Sequence, residues 1–174
     1  GGSLKEEYNI VLGNPVIDYF ESIKSPSISM TVTFIDVDQV ISRKGITGGE
    51  YIDVEVVFES AGAPKPFKIM SKKHKLILNA VRNVVTTPNK QVATLEFVSV
   101  ESIINETARV SKKYTKNVSN TVSELLVSDE KGIQTSKNLD KHESTNSYSF
   151  IGNLKRPFDT IQWLCPKSQS STKN

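Results

Sequence analysis

From residue 28 to residue 34, apolar and polar side chains alternate without a break: Ile28, Met30, Val32 and Phe34 against Ser29, Thr31 and Thr33. Only an extended chain, whose side chains point to opposite faces at each step, sorts that pattern into one apolar and one wet face. The pattern returns in residues 51–59, where Ile52, Val54, Val56 and Phe58 oppose Asp53, Glu55 and Glu59. Such alternation belongs to half-buried antiparallel strands rather than to parallel strands buried on both faces. Further strands are expected at residues 67–70, 76–85 and 91–100, with Thr87-Pro88-Asn89-Lys90 as the hairpin between the last two. Residues 16–23 read as a strand or a helical turn, and Pro26 favours the strand. Upstream, Gly13-Asn14-Pro15 reads as a turn. Residues 36–44 suit one helical turn and residues 45–49 a loop. Six strands with short connections and hardly any helix imply a tube-type antiparallel β-barrel over residues 4–100.

After Val100 the pattern changes. Residues 101–107 suit a helical turn, and residues 117–127 a helix with Val118, Val122, Leu125 and Leu126 on one side and Asn117 or Ser119 as its cap. Residues 133–139 read as a strand. The most structured stretch is 147–164, SYSFIGNLKRPFDTIQWL. Tyr148 and Phe150 share one face of a short strand, and Gly152-Asn153, both tolerant of positive φ, end it. A helix follows with Pro157 in its first turn and Asp159 placed to complement its dipole. Phe158, Ile161 and Leu164 lie on one side, with Trp163 beside them. Each large side chain fully buried there contributes about 1.5–3 kcal/mol. Tyr148, Phe150, Pro157, Phe158, Ile161, Trp163 and Leu164 are therefore the expected structural anchors. The fold class is mainly β with minor α: a first tube-type barrel over 4–100, the beginning of a second, mixed α/β barrel unit over 101–168, and a polar, flexible tail or truncated loop at 169–174.

Charge is unevenly spread along the 174 residues, whose net charge is +3. Residues 1–60 hold ten Asp/Glu and four Lys/Arg; residues 61–95 hold seven Lys/Arg and no carboxylate. Two surfaces of opposite sign favour ordered association between proteins. Asp53, Glu55, Lys72, Lys73 and Lys75 are the candidate interface residues. Cys165 is alone, so no internal disulfide forms and a reducing compartment is expected; following Leu164, it reads as a core cysteine. The leader has neither the basic nor the apolar region of a secretory signal, and no apolar run approaches the roughly 20 residues that span a bilayer. No membrane partner is expected, and the N-x-S/T triplets at Asn105 and Asn117 read as chance.

Little suggests chemistry. His74 and His142 have no second soft ligand nearby in sequence, which argues against zinc. Asp36 with Asp38, or Glu50 with Asp53 and Glu55, could pair as acid and base, as in a cell-wall hydrolase; strand-face charges are the plainer reading. Residues 45–50, GITGGE, match no phosphate-binding loop. The basic run 65–75 allows an OB-like binder of single-stranded nucleic acid, though only Phe67 lies within it to stack a base. No catalytic residue, cofactor or metal is expected.

Taken together, SISMTVTFID at 27–36, ITGGEYIDVEVVF at 46–58, LEFVSVESIINETARVSKKYT at 95–115 and, most of all, FIGNLKRPFDTIQWL at 150–164 carry a likeness to a known family. In their order and spacing they resemble the central baseplate hub proteins of contractile-tailed bacteriophages, N-terminal part. The resemblance covers almost the whole chain. It implies two tube-type β-barrels per subunit and a homotrimer forming a pseudo-sixfold ring between the spike protein and the tail tube or tube-initiator proteins. Baseplate wedge proteins would be further partners, and DNA would pass through the lumen without specific binding. The protein would reside in the virion after assembly in the host cytoplasm, with its second barrel completed beyond Asn174. Lys72, Lys73 and Lys75 are then expected to face a neighbouring protein or solvent, not the lumen.

Overall fold

A computed structural model describes residues 12–53, 57–58, 67–68, 75–88 and 90–170. Strand exceeds helix, and the chain divides into two units, residues 1–98 and 99–174.

The first unit is a five-stranded antiparallel sheet curled into half a barrel. Its strands are β1 (Leu12–Phe20), β2 (Ser29–Asp36), β3 (Tyr51–Asp53), β6 (Lys75–Thr87) and β7 (Lys90–Ser99), in the order β1-β2-β7-β6-β3. Two short strands, β4 (Val57–Phe58) and β5 (Phe67–Lys68), pair separately. The alternation of β2 decides which face is buried: Met30, Val32 and Phe34 join Leu76 and Leu78 of β6, Ala93, Leu95 and Phe97 of β7, and Ile41 in one core. The opposite face carries the Thr33–Thr94 hydroxyl pair, 3.0 Å apart. Asp36, at the end of β2, is buried and accepts the Ile41 amide at 3.0 Å, so it anchors α1 (Val40–Lys44). Glu50 accepts from the amides of Thr47 and Gly48, closing the glycine loop. Two of the carboxylates weighed for catalysis thus bind backbone.

Gly13-Asn14-Pro15 is not a turn. β1 runs through it, with Gly13 opposite Ile35 and Val16 opposite Thr33, so two residues of β1 face one of β2. Asn14 sits at φ 46. This is a β-bulge, and Pro15 is tolerated because β1 is an edge strand among the described residues.

The second unit opens with α2 (Val100–Thr107) and continues through β8 (Lys113–Tyr114), α3 (Val118–Ser123), one π-helical turn (Glu124–Ser128), β9 (Phe150–Ile151) and α4 (Pro157–Leu164). Asn117 caps α3, its side chain accepting the Asn120 amide at 3.1 Å. The π turn is closed by the Asp129 amide on the Glu124 carbonyl at 2.8 Å. Residues 133–139 form no strand. Gln134 takes φ 53, while the amides of Ile133 and Thr135 bond the carbonyls of Leu125 and Leu126 at 2.9 and 2.8 Å. Those carbonyls end a helix and need donors, so the segment docks lengthwise on it rather than pairing in a sheet. Ile133 is buried all the same.

Candidate functional site

β8 and β9 pair antiparallel with Tyr114 opposite Phe150. That register stacks the two rings, with centroids 5.1 Å apart and 19° between planes. Trp163, arriving from α4, meets Phe150 edge-on at 5.3 Å and Tyr148 at 5.5 Å. Offset and edge-on arrangements are those the ring quadrupole prefers. Phe150 and Ile161 pack against the buried cluster of Val110, Tyr114 and Leu125. Pro157, Phe158 and Leu164 are buried, whereas Trp163 keeps 37 % of its surface exposed. The anchors therefore divide: one group faces the core, and Tyr148, Phe150 and Trp163 line an open cleft of about 330 Å³.

The turn between β9 and α4 shapes one end of the cleft, though not by a positive φ at Gly152. The left-handed residues are Asn153 at φ 49 and Leu154 at φ 58. The Lys155 amide closes the turn on the Gly152 carbonyl at 3.1 Å. Gly152 is required for another reason: a Cβ there would lie 2.4 Å from the Val110 carbonyl oxygen.

Asn105, on α2, accepts the Phe158 amide through Oδ1 at 2.8 Å, satisfying a free donor in the first turn of α4. Arg156 adds an ion pair with Glu106 at 2.9 Å. Both Asn105 and Asn117, which looked like chance triplets, thus hold helix starts. The Asn117 cap could be read locally; Asn105 lies 53 positions from its partner, and nothing nearby in sequence marks it.

Beneath the rings lies a charged network. Tyr114 donates its hydroxyl to Asp129, and Lys112 reaches both Glu124 and Asp129, the latter at 3.2 Å. Lys116 pairs with Glu124 at 3.0 Å. Burial works to raise the Asp129 carboxyl, but hydrogen bonds from Tyr114, the Lys131 amide and Lys112 outweigh it and hold it below its usual range. Hydrogen bonds from Lys112 and Lys116 lower Glu124. Burial and the bond to Asp129 drive the Tyr114 phenol far up. These shifts favour a protonated Tyr114 beside ionised Asp129 and Glu124, a set of charges that fixes the orientation of the Tyr114 ring.

Two lysines flank the cleft. Lys155 lies 5.6 Å and Lys167 4.6 Å from the centre of the Trp163 ring, both within cation–π range. Cys165 is exposed, not core: it opens the 3₁₀ turn after α4, past the residues α4 buries. Desolvation raises its thiol, which disfavours the thiolate. Of the candidate interface residues, Asp53 and Lys75 stand opposite each other in the β3–β6 register, while Glu55, Lys72 and Lys73, with most of the basic run 65–75, lie outside the described residues. Among the described residues no three His, Cys, Asp or Glu cluster as metal ligands, and no helix is long and apolar enough to cross a membrane.

Compared with protein-family models, curated proteins and solved structures, the chain matches none.

Proposed function

We propose that this chain is a structural subunit of a contractile-tail baseplate, a hub component that joins the central spike to the tail tube by protein–protein assembly and catalyses no reaction. The observation that carries the reading is the outer edge of the first sheet, which no described residue pairs. β1 bounds the described sheet and leaves Val16 58 %, Ile17 50 % and Phe20 59 % exposed. The bulge at Asn14-Pro15 blunts only the start of this edge; the apolar stretch beyond it, from Val16 to Phe20, invites pairing with another chain. A curled antiparallel half-barrel with that edge suits a ring in which each subunit extends the wall of the next. The acidic first third and basic middle supply complementary charge, and the order of motifs from residue 27 to residue 164 supports the hub family. On this reading the second unit belongs to a further barrel, the ring is a homotrimer, and DNA passes its lumen without specific contacts.

Light scattering coupled to size-exclusion chromatography tests it. A mass three times that of the chain is expected, falling to a monomer when Ile17→Lys and Phe20→Glu are combined, with the circular dichroism spectrum unchanged. A monomer at high protein concentration, or a trimer indifferent to both substitutions, overturns the reading.

A further inference from the structure

The cleft of the second unit has a strand on one side and a helix on the other. Tyr148 and Gly152 direct their amides to the Lys116 and Lys112 carbonyls across β8–β9, at 3.4 and 3.1 Å. Backbone direction reverses at every residue of a strand, so Ser149 and Ile151 turn their N–H and C=O groups the other way. Both residues line the cleft, and no described residue takes those groups. α4 forms the facing wall with Trp163 and Thr160. Ile151 is 59 % exposed, offering an apolar contact beside the free edge. A groove between an open strand edge and a helix is the setting in which an extended peptide adds itself to a sheet.

Charge selects the peptide. Lys155 and Lys167 have no carboxylate partner among the described residues, and no carboxylate lines the cleft. Their ammonium groups sit over the Trp163 ring, which obstructs stacking of a nucleic-acid base but leaves the cations available to carboxylates.

We propose that this groove accepts an extended, acidic segment of a partner protein as a third strand beside β9. Its main chain bonds Ser149 and Ile151, and its carboxylates meet Lys155 and Lys167. The site lies within the second unit alone, whereas the trimer experiment reads the β1 edge of the first, so the two proposals fail separately.

Trp163 is the single tryptophan of the chain, and its emission reports on the groove. The probe is a capped hexapeptide alternating valine and glutamate, followed in parallel by anisotropy of its fluorescein-labelled form. A saturable change is expected in both signals. It should vanish for the same peptide N-methylated on alternate amides and for the version with lysine in place of glutamate. Lys155→Glu combined with Lys167→Glu should weaken binding at least tenfold while the fold, checked by circular dichroism, persists. Absence of a saturable response at millimolar peptide, or equal responses to the methylated or lysine peptide, overturns the proposal. So does Trp163 emission that changes with protein concentration alone, since a second copy would then occupy the groove.

Discussion

Gly152 and Leu154 sit two residues apart and obey different constraints. Gly152 has a backbone conformation open to other residues, yet its missing Cβ leaves room for Val110, whose carbonyl oxygen would otherwise stand 2.4 Å away and whose Cγ1 2.5 Å away. Backbone cannot swing aside as a long side chain can, so Gly152→Ala should destabilise by about 1–3 kcal/mol, read as a lower urea midpoint. Leu154 has space, being 66 % exposed, but its φ of 58 is one that L-residues adopt at a cost of about 1–2 kcal/mol. Leu154→Gly should therefore raise stability by up to about 1 kcal/mol, part of the gain being offset by the greater freedom of glycine in the unfolded chain. An unchanged or lower midpoint for that variant would show that the Leu154 side chain contributes more than its exposure suggests.

At the scale of elements, α4 depends on a residue from another helix. Its first turn has free amides, its own N-cap Arg156 makes no side-chain cap bond, and Asn105 of α2 supplies the acceptor instead. Asn105→Ala removes it and should cost about 1–2 kcal/mol. Asn105→Asp keeps an oxygen in place and should recover most of the loss, a contrast that thermal melts followed at 222 nm can measure. Equal melting temperatures for the two variants would mean that packing alone holds α4 against α2. The Tyr114–Asp129–Lys112–Glu124 network sits under β8 and the π turn, and its sign with pH follows from its shifts. Asp129 and Glu124 have folded pKa values below their ordinary 3.8 and 4.5. Their contribution is therefore complete above those values and is lost as pH falls through and below them. Melting temperature should drop between pH 5 and pH 3, within about the ordinary carboxylate range. Asp129→Asn should be less stable at pH 7 and lose less on acidification; an identical acid profile would remove Asp129 from the account.

For the whole molecule, the two proposals together assign the chain two differently built surfaces, an apolar strand edge in the first unit and an aromatic, cationic groove in the second. The strands β2, β6 and β7 were legible in the sequence, because alternation at a period of two leaves a half-buried strand no other arrangement; residues 51–59, read as one strand, instead supply β3 to the large sheet and β4 to a separate pair with β5. The Pro157 start of α4 and the aromatic spacing of 148–164 were legible for the same local reason. The bulge at Asn14-Pro15 was not, since turn residues mark both turns and bulges and only the partner strand decides between them. Residues 133–139 have strand-like composition, but their amides were claimed by the end of a helix. Cys165 looked buried because it follows Leu164, yet α4 had already turned it outward. Alternation and turn chemistry act within a few residues, so order along the chain is enough to reveal them. Which of the aromatics stays wet, where Asn105 reaches, and that Lys155 and Lys167 meet over one indole depend on segments 12 to 53 positions apart being brought together. That is settled by competition among all segments for the same buried volume and the same hydrogen-bond partners, which exists only once the chain has folded.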